Sequence, residues 1–163
     1  MTSPTASFEK KIYAPEKLEE ALRTIARPLV FTNGVFDLLH RGHATYLDQA
    51  RALGASLLVA LNSDDSVRRL GKDVDRPINT LSDRAAVIAA LESVSLVTWF
   101  EEDTPLELIL RVKPQILVKG GDWPVEQMVG AREIQQWQGV ARSIPFEFQQ
   151  STTAMLRRIR GKA

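Results

Sequence analysis

Both histidines of the chain fall within one stretch, His40-Arg41-Gly42-His43. Two imidazoles this close can donate hydrogen bonds to phosphate oxygens as charge builds in a transition state, or they can ligate a metal. Zinc is the poorer reading, because the chain has no cysteine and no third histidine, so a carboxylate would have to complete the set. For a bare His-x-x-His pair, ordinary loop or cap histidines are the commoner outcome, so the surrounding residues must decide. Asn33-Gly34-Val35-Phe36-Asp37 precedes the pair, and Gly34 and Gly42 permit close approach of backbone to a ligand. A helix starting at the pair would free main-chain N–H groups for an anion. Ser151-Thr152-Thr153 forms a second candidate anion site, with Ser151 as N-cap of a C-terminal helix and hydroxyls at its first turn.

Positioning those residues requires strands that end near them. Leu29 to Thr32 reads as a buried strand entering the Asn33–Asp37 loop, and Gly42 to Leu53 as a helix with Gly54 as its stop. Leu57 to Leu61 is a continuous apolar run, as in a strand covered on both faces. Before them, Pro15 begins a short helix carrying Leu18, Leu22 and Ile25, which Pro28 ends. After them, Ser82 is expected to cap a helix through Leu91, Leu96 to Phe100 is a strand, and Thr104-Pro105 with Glu107 reads as a capping-box start. Ile116 to Val118 is another strand, Val129 to Gln138 a helix, Val140 to Phe146 a last strand and Ser151 to Ile159 the closing helix. Strands alternating with helices imply an α/β fold, a mostly parallel sheet with helices on both faces, whose ligands sit at the carboxyl ends of the strands. Lys119-Gly120-Gly121-Asp122-Trp123 and Asn62-Ser63-Asp64-Asp65 both fall at such strand ends. Arg68 and Arg69 serve equally well as a solvated face, whereas Lys72 is better placed for a phosphate.

Composition bounds the function. The 163 residues fit one domain, expected over 15–163, with 1–14 a tail or an arm on a partner subunit. Twenty-one Lys and Arg against 20 Asp and Glu leave a net charge of +1, too little to recruit a nucleic acid. Arg157, Arg158, Arg160 and Lys162 near the C-terminus need no polyanion, since cations gain from a helix C-terminal dipole. The longest apolar run, Ala85 to Leu91, is far short of the ~20 residues that span a bilayer. No membrane association and a cytoplasmic location are expected, and no signal-like segment opens the chain.

The same residues carry a resemblance. His40-Arg41-Gly42-His43 resembles the His-x-Gly-His signature of a nucleotidyltransferase superfamily, and Phe36-Asp37 before it is similar to its cytidylyltransferase-like branch. Ser151-Thr152-Thr153 resembles the family's Ser-Thr-Thr motif. Arg76-Pro77-Ile78-Asn79 with Asp83-Arg84, and Asp103-Thr104-Pro105-Leu106-Glu107-Leu108, look like the adenylyltransferases that activate D-glycero-β-D-manno-heptose 1-phosphate. The likeness runs from about Leu29 to Arg160. One departure bears on the base: Glu147-Phe148-Gln149-Gln150 stands where glycerol-phosphate and choline-phosphate cytidylyltransferases carry an Arg-Thr-x-Gly-type sequence, which counts against a cytidine enzyme.

The resemblance implies a Rossmann-like fold and in-line attack of a sugar 1-phosphate on the α-phosphate of ATP, giving ADP-heptose and pyrophosphate for the lipopolysaccharide inner core. It implies catalytic roles for His40, His43 and Lys72. Thr32, Asn33, Gly34, Phe36, Gly42, Lys119, Gly121, Asp122, Ser151, Thr152 and Thr153 would hold the nucleotide, with Gly120 and Gly121 letting backbone approach a purine. Asp37, Asn62, Asp64 and Arg76 would meet the sugar phosphate. Mg²⁺ would accompany ATP, with Asp37 a candidate to orient it. A homodimer and a separate kinase supplying the heptose 1-phosphate are further expectations. Two alternatives stand beside this one: a cytidylyltransferase for glycerol 3-phosphate or another alditol or choline phosphate, and a non-catalytic nucleotide-sensing module.

Overall fold

The computed structural model describes residues 6–71, 75–148 and 152–161. Five strands form one sheet: β1 (Leu29–Gly34), β2 (Ser56–Asn62), β3 (Leu96–Phe100), β4 (Ile116–Gly120) and β5 (Val140–Ile144). Every pairing is parallel, in the order β3-β2-β1-β4-β5. Successive strands step outward from β1 to β3, and the chain then returns to lay β4 on the other side of β1. That reversal between β1 and β4 opens a crevice at their carboxyl ends, where parallel α/β sheets bind ligands.

Alternation along β1 divides the core. Leu29 and Phe31 face a layer built from α1 (Leu18–Leu22), α5 (Leu106–Val112) and the segment from Met128 to Ile134. Val30 faces α2 (Arg41–Arg51) and α4 (Leu81–Ala89), where Leu47, Ala50, Ala85 and Ile88 are buried. The sheet is thus covered on both sides, which is why β2 has all seven residues buried and its central Leu57 to Leu61 reads as an unbroken apolar run.

Several local expectations are corrected. The leading helix shrinks to a 3₁₀ turn at Pro15–Lys17 and the short α1, and Ile25 packs against the core from beyond its end. Thr80, not Ser82, caps α4: its Oγ1 accepts from Asp83 N at 3.3 Å. Thr104 makes no capping box, because Pro105 itself occupies the N-cap of α5 and no side chain accepts there. The helix expected over 129–138 is reduced to a 3₁₀ segment at Glu133–Trp137, bracketed by Gly130 at φ +87° and Gln138 at φ +62°, left-handed positions that no helix continues through. β5 stops at Ile144, before Pro145 and Phe146. A helix not expected at all, α3 (Asp64–Arg69), follows β2, with Ser63 Oγ accepting from Ser66 N at 3.1 Å.

Residues 6–14, read from sequence as a tail or arm, lie along the outer edge of β3. Ile12 bridges Val97 in parallel, Tyr13 N donates to Val97 O at 2.9 Å, and Lys11 Nζ donates to Leu91 O at 3.0 Å. Phe8 and Ile12 pack against the α2/α4 side of the core. The segment covers an otherwise unpaired sheet edge. No helix of the described residues is long and apolar enough to cross a membrane.

Candidate active site

The crevice between β1 and β4 opens into a cleft of about 530 Å³. His40 and His43 line it together, their rings stacked with centroids 3.8 Å apart. Backbone and sequence combine to place them. His40 is the N-cap of α2, extended at φ −141°, and His43 sits one turn into the helix. Gly42 lies between: a Cβ there would meet His40 Cε1 and Nδ1 at 3.0 Å, so the missing side chain lets the His40 ring fold back over the first turn. Phe36 supports His43 from the other side, edge-on with centroids 5.2 Å apart. It does so from a left-handed backbone (φ +46°), and a Cβ on Gly34 would sit 2.9 Å from its Cε2. Non-glycine residues held at positive φ cluster at functional sites, where surrounding structure over-determines them.

Burial dictates the charge state of the pair. The His43 pKa is lowered from 6.5 to about 4 by burial and by the neighbouring His40, against a smaller raising effect of the Leu38 carbonyl. Burial also lowers that of His40. Both rings are therefore neutral at pH 7, each with a single N–H donor. The Nδ1 atoms of both are buried without a well-aligned hydrogen bond in the protein, so the Leu38 carbonyl acts on His43 by proximity more than by a formed bond.

Because the folded pKa of His43 lies below its unfolded value of 6.5, the unfolded chain takes up the proton first as pH falls. Stability should be full above about pH 6.5 and decline toward pH 4; His40 adds in the same direction. The shift sets a ceiling of roughly 3 kcal/mol, and about 1–2 kcal/mol survives solvent screening of a half-buried ring. Urea unfolding of the wild type and His43→Gln across this window checks it. Parallel pH profiles for the two proteins would remove the assignment.

Asp37 closes a buried latch. Its carboxylate accepts from Ile78 N at 2.9 and 3.0 Å and from Asn79 N at 2.9 Å, and Oδ2 lies 2.7 Å from Arg76 Nε. The side chain has 0% exposure and that of Arg76 7%. Both residues line the cleft, but the Asp37 oxygens face inward, so it holds the Arg76–Asn79 segment in place and is not a candidate to orient a metal. No group of three or more His, Asp or Glu side chains able to hold a metal ion converges among the described residues. The donors among the described residues therefore do not make up a protein-held magnesium site.

Arg84 makes the second latch. Its guanidinium, 1% exposed, donates to Asn79 O (3.1 Å), Val35 O (2.8 Å), Asn62 O (2.9 Å) and Asp64 Oδ1 (2.7 Å). One buried cation thus gathers the loop after β1, the end of β2 and the Arg76–Asn79 segment. Asp64 is corrected accordingly: it accepts from Arg84 and from Leu81 N, lies outside the cleft and serves the scaffold. Asn62 does line the cleft, with Nδ2 donating to Ser66 Oγ.

Among the residues expected to hold a nucleotide, Asn33, Gly34, Phe36, Lys119, Thr152 and Thr153 line the cleft. Thr32 does not. It is fully buried, and its Oγ1 is spent on Tyr46 Oη at 2.6 Å. Gly42 acts through His40, as described. Gly121, at φ +104°, shapes the turn after β4 by donating to Ile144 O at 2.8 Å, and Asp122 is solvent-exposed; neither lines the cleft. Thr152 begins α6 (Thr152–Ile159) and donates to Leu38 O at 3.4 Å, bringing that helix start to the histidine loop. Lys72, Gln149, Gln150 and Ser151 lie outside the described residues.

Sequence reasoning missed Tyr46, Phe146 and the rim residues Leu70 and Asp103 to Pro105 as parts of the cleft. Tyr46 carried a signal, an aromatic one turn beyond His43 on the same helix face. Its phenol, pushed up by burial and restrained by Thr32 and the Gly120 backbone, stays protonated and ties α2 to the floor between β1 and β4. Asp103 is held at the rim by Arg69, Nε to Oδ1 at 2.8 Å.

A doubly covered parallel sheet with paired imidazoles at its switch point and a helix start facing them is the architecture of an α/β nucleotide-transfer protein. Residues 31–159 match the cytidylyltransferase-like family, and the chain belongs to it. It is 54% identical over 158 residues, 96% of this chain and 98% of the relative, to a D-beta-D-heptose 1-phosphate adenylyltransferase from Bordetella bronchiseptica. It is 51% identical over 148 residues to the bifunctional protein HldE of Hahella chejuensis, covering 89% of this chain and 31% of that longer protein. Among solved structures, a lipopolysaccharide core biosynthesis protein from Thermoplasma volcanium superposes with a TM-score of 0.61 at 28% identity, covering 75% of this chain and 98% of that one.

Proposed function

We propose that the protein transfers AMP from ATP to D-glycero-β-D-manno-heptose 1-phosphate, releasing pyrophosphate and forming ADP-heptose. The observation that carries this reading is the neutral, stacked His40–His43 pair at the β1/β4 switch point, supported by the 54% identity to a heptose 1-phosphate adenylyltransferase. A phosphate oxygen of the sugar 1-phosphate attacks the α-phosphorus. The new P–O bond forms as the bond from that phosphorus to the bridging oxygen of the β-phosphate breaks. The nucleophile is already a dianion near neutral pH, so no general base is required, and catalysis is positioning plus charge stabilisation. His40 and His43 each offer an N–H toward the α-phosphate and the leaving oxygen. At the first turn of α6 the Thr153 hydroxyl and the main-chain N–H groups grip the pyrophosphate end, while Thr152 ties that helix start to the Leu38 carbonyl. Lys72 and Ser151 belong to the same reading as phosphate ligands. Magnesium enters bound to the triphosphate, as part of the substrate. The sugar 1-phosphate must come from a kinase-class reaction, and the reading includes a homodimer.

The test is product identity by mass spectrometry, with ATP and CTP each offered alongside heptose 1-phosphate and glycerol 3-phosphate. ADP-heptose and pyrophosphate in equal amounts are expected. Formation of CDP-glycerol alone would replace this reading with the cytidylyltransferase one, and binding without turnover would leave a sensor.

A further inference from the structure

Helix α6 hangs outside both layers of the core. Thr152 and Leu156 are its buried residues, and among the described residues none of it joins the two apolar clusters that flank the sheet. Its attachments recur every four residues and so fall along one face. Thr152 Oγ1 donates to Leu38 O at 3.4 Å, a long bond. Leu156 is buried one turn on. Arg160 follows the last helical residue, with its N–H still bonded to Leu156 O at 3.0 Å, and its Nη2 donates to Asp75 Oδ2 at 2.8 Å. Apolar burial is non-directional and lets the helix pivot about Leu156, so the two polar contacts at its ends must set its angle.

Asp75 gives the far end something firm to hold. It immediately precedes the Arg76–Asn79 segment, which Asp37 fastens through Arg76, Ile78 N and Asn79 N, and Arg84 through Asn79 O. The Asp75–Arg160 pair thus joins the helix that carries the phosphate grip to the segment that carries Arg76. It does so from outside, since neither residue lines the cleft.

Distance turns this contact into control of aim. Arg160 lies about 12 Å along the axis from Thr152, so a shift of about 2 Å at that end swings the helix by about 10°. Donors in a working site must be held within about 10–20° of their productive direction. The Thr153 hydroxyl and the N–H groups of the first turn move with the axis, whereas the groups on β1 and α2 do not.

We infer that Asp75 and Arg160 are positioning residues, whose ion pair holds α6 at the angle at which its first turn meets the β- and γ-phosphates of the nucleotide. What α6 grips is taken from the nucleotide-transfer reading, on which this assignment rests, but binding tests it without turnover. The two side chains are 66% and 33% exposed, so the pair changes affinity by at most about fivefold.

Binding of ATP, AMP and inorganic tripolyphosphate is measured calorimetrically on the wild type, Asp75→Asn, Arg160→Gln, Arg160→Lys and the double variant Asp75→Asn/Arg160→Gln, with thermal melting as the check on folding. Each single neutral variant should weaken ATP and tripolyphosphate by the same factor, about three- to fivefold at low salt. AMP should be unchanged, because it lacks the phosphates that α6 holds. The double variant should lose no more than either single one, and Arg160→Lys should retain most of the affinity. The difference from the wild type should shrink in about 1 M salt. Arg158→Gln, which removes a cation from the same turn, should change none of the three. Unaltered ATP affinity in both neutral variants, losses that add in the double variant, an equal fall for AMP, the same loss in Arg158→Gln, or no tripolyphosphate binding by the wild type would each overturn the inference. The expected pattern in a protein that forms no ADP-heptose would leave it standing and remove the proposed reaction instead.

Discussion

Replacing His43 with alanine should lower turnover by about 10²–10³ while leaving the fold intact, the usual cost of removing one preorganised donor aimed at developing charge. The magnitude follows from the state of the ring. Held neutral by burial and by His40, it brings no net charge that would bind ATP and the transition state alike. Its N–H instead strengthens as negative charge accumulates on the α-phosphate and the bridging oxygen, in a cleft where water competes poorly. The loss should therefore fall on kcat, with KM for ATP changed by only a few-fold. Folding should survive because the ring is half-buried, contacts Phe36 and His40 by packing alone, and makes no well-aligned side-chain hydrogen bond that alanine would orphan. The measurement is pyrophosphate release at saturating substrates, paired with circular dichroism. Near-wild-type turnover in a folded His43→Ala protein would take that role away from the residue. A rise in KM alone, with kcat preserved, would make it a ground-state ligand.

What could be read before the structure was local or periodic. β2 announces itself because burial on both faces leaves Leu57 to Leu61 without polar interruption. The histidine pair was visible because its spacing and the intervening glycine are a one-turn device. The errors share a physical cause, in that they turn on partners distant in sequence. Asp37 looked like an open carboxylate near a phosphate site, but its donors lie at Arg76, Ile78 and Asn79, and nothing near position 37 reveals them. Asp64 follows a strand end as a substrate ligand would, but its carboxylate is held by Arg84, twenty residues on. Thr32 belonged to the right strand, but its hydroxyl is committed to Tyr46. The helix expected over 129–138 is cut short by the left-handed backbone at Gly130, which the packing of Ile109 and Leu117 against it requires and local sequence does not show. Phe146 was hidden for a similar reason, since the space it occupies is made by Gly120 on the neighbouring strand.

The Asp37–Arg76 latch should respond asymmetrically to the loss of either partner. Asp37→Ala leaves the Arg76 guanidinium in its buried position without its carboxylate, and strips the Ile78 and Asn79 N–H groups of their acceptor. Breaking a buried pair from one side costs about 3–5 kcal/mol, because an uncompensated charge remains. For a domain of this size that corresponds to a fall in Tm of roughly 10 °C. Arg76→Met removes the other partner but leaves the carboxylate its two main-chain donors, and the thioether side chain fills much of the vacated volume. It should cost less than half as much in stability. Activity should behave differently, because Arg76 also lines the cleft beside the place proposed for the sugar phosphate. Arg76→Met is therefore expected to raise KM for the sugar phosphate at least tenfold in a protein that remains folded, whereas Asp37→Ala loses activity in step with its loss of folded protein. Thermal melting and steady-state kinetics on the two variants separate these behaviours. Equal destabilisation by both would mean that the ion pair, and not the carboxylate's main-chain donors, secures the Arg76–Asn79 segment.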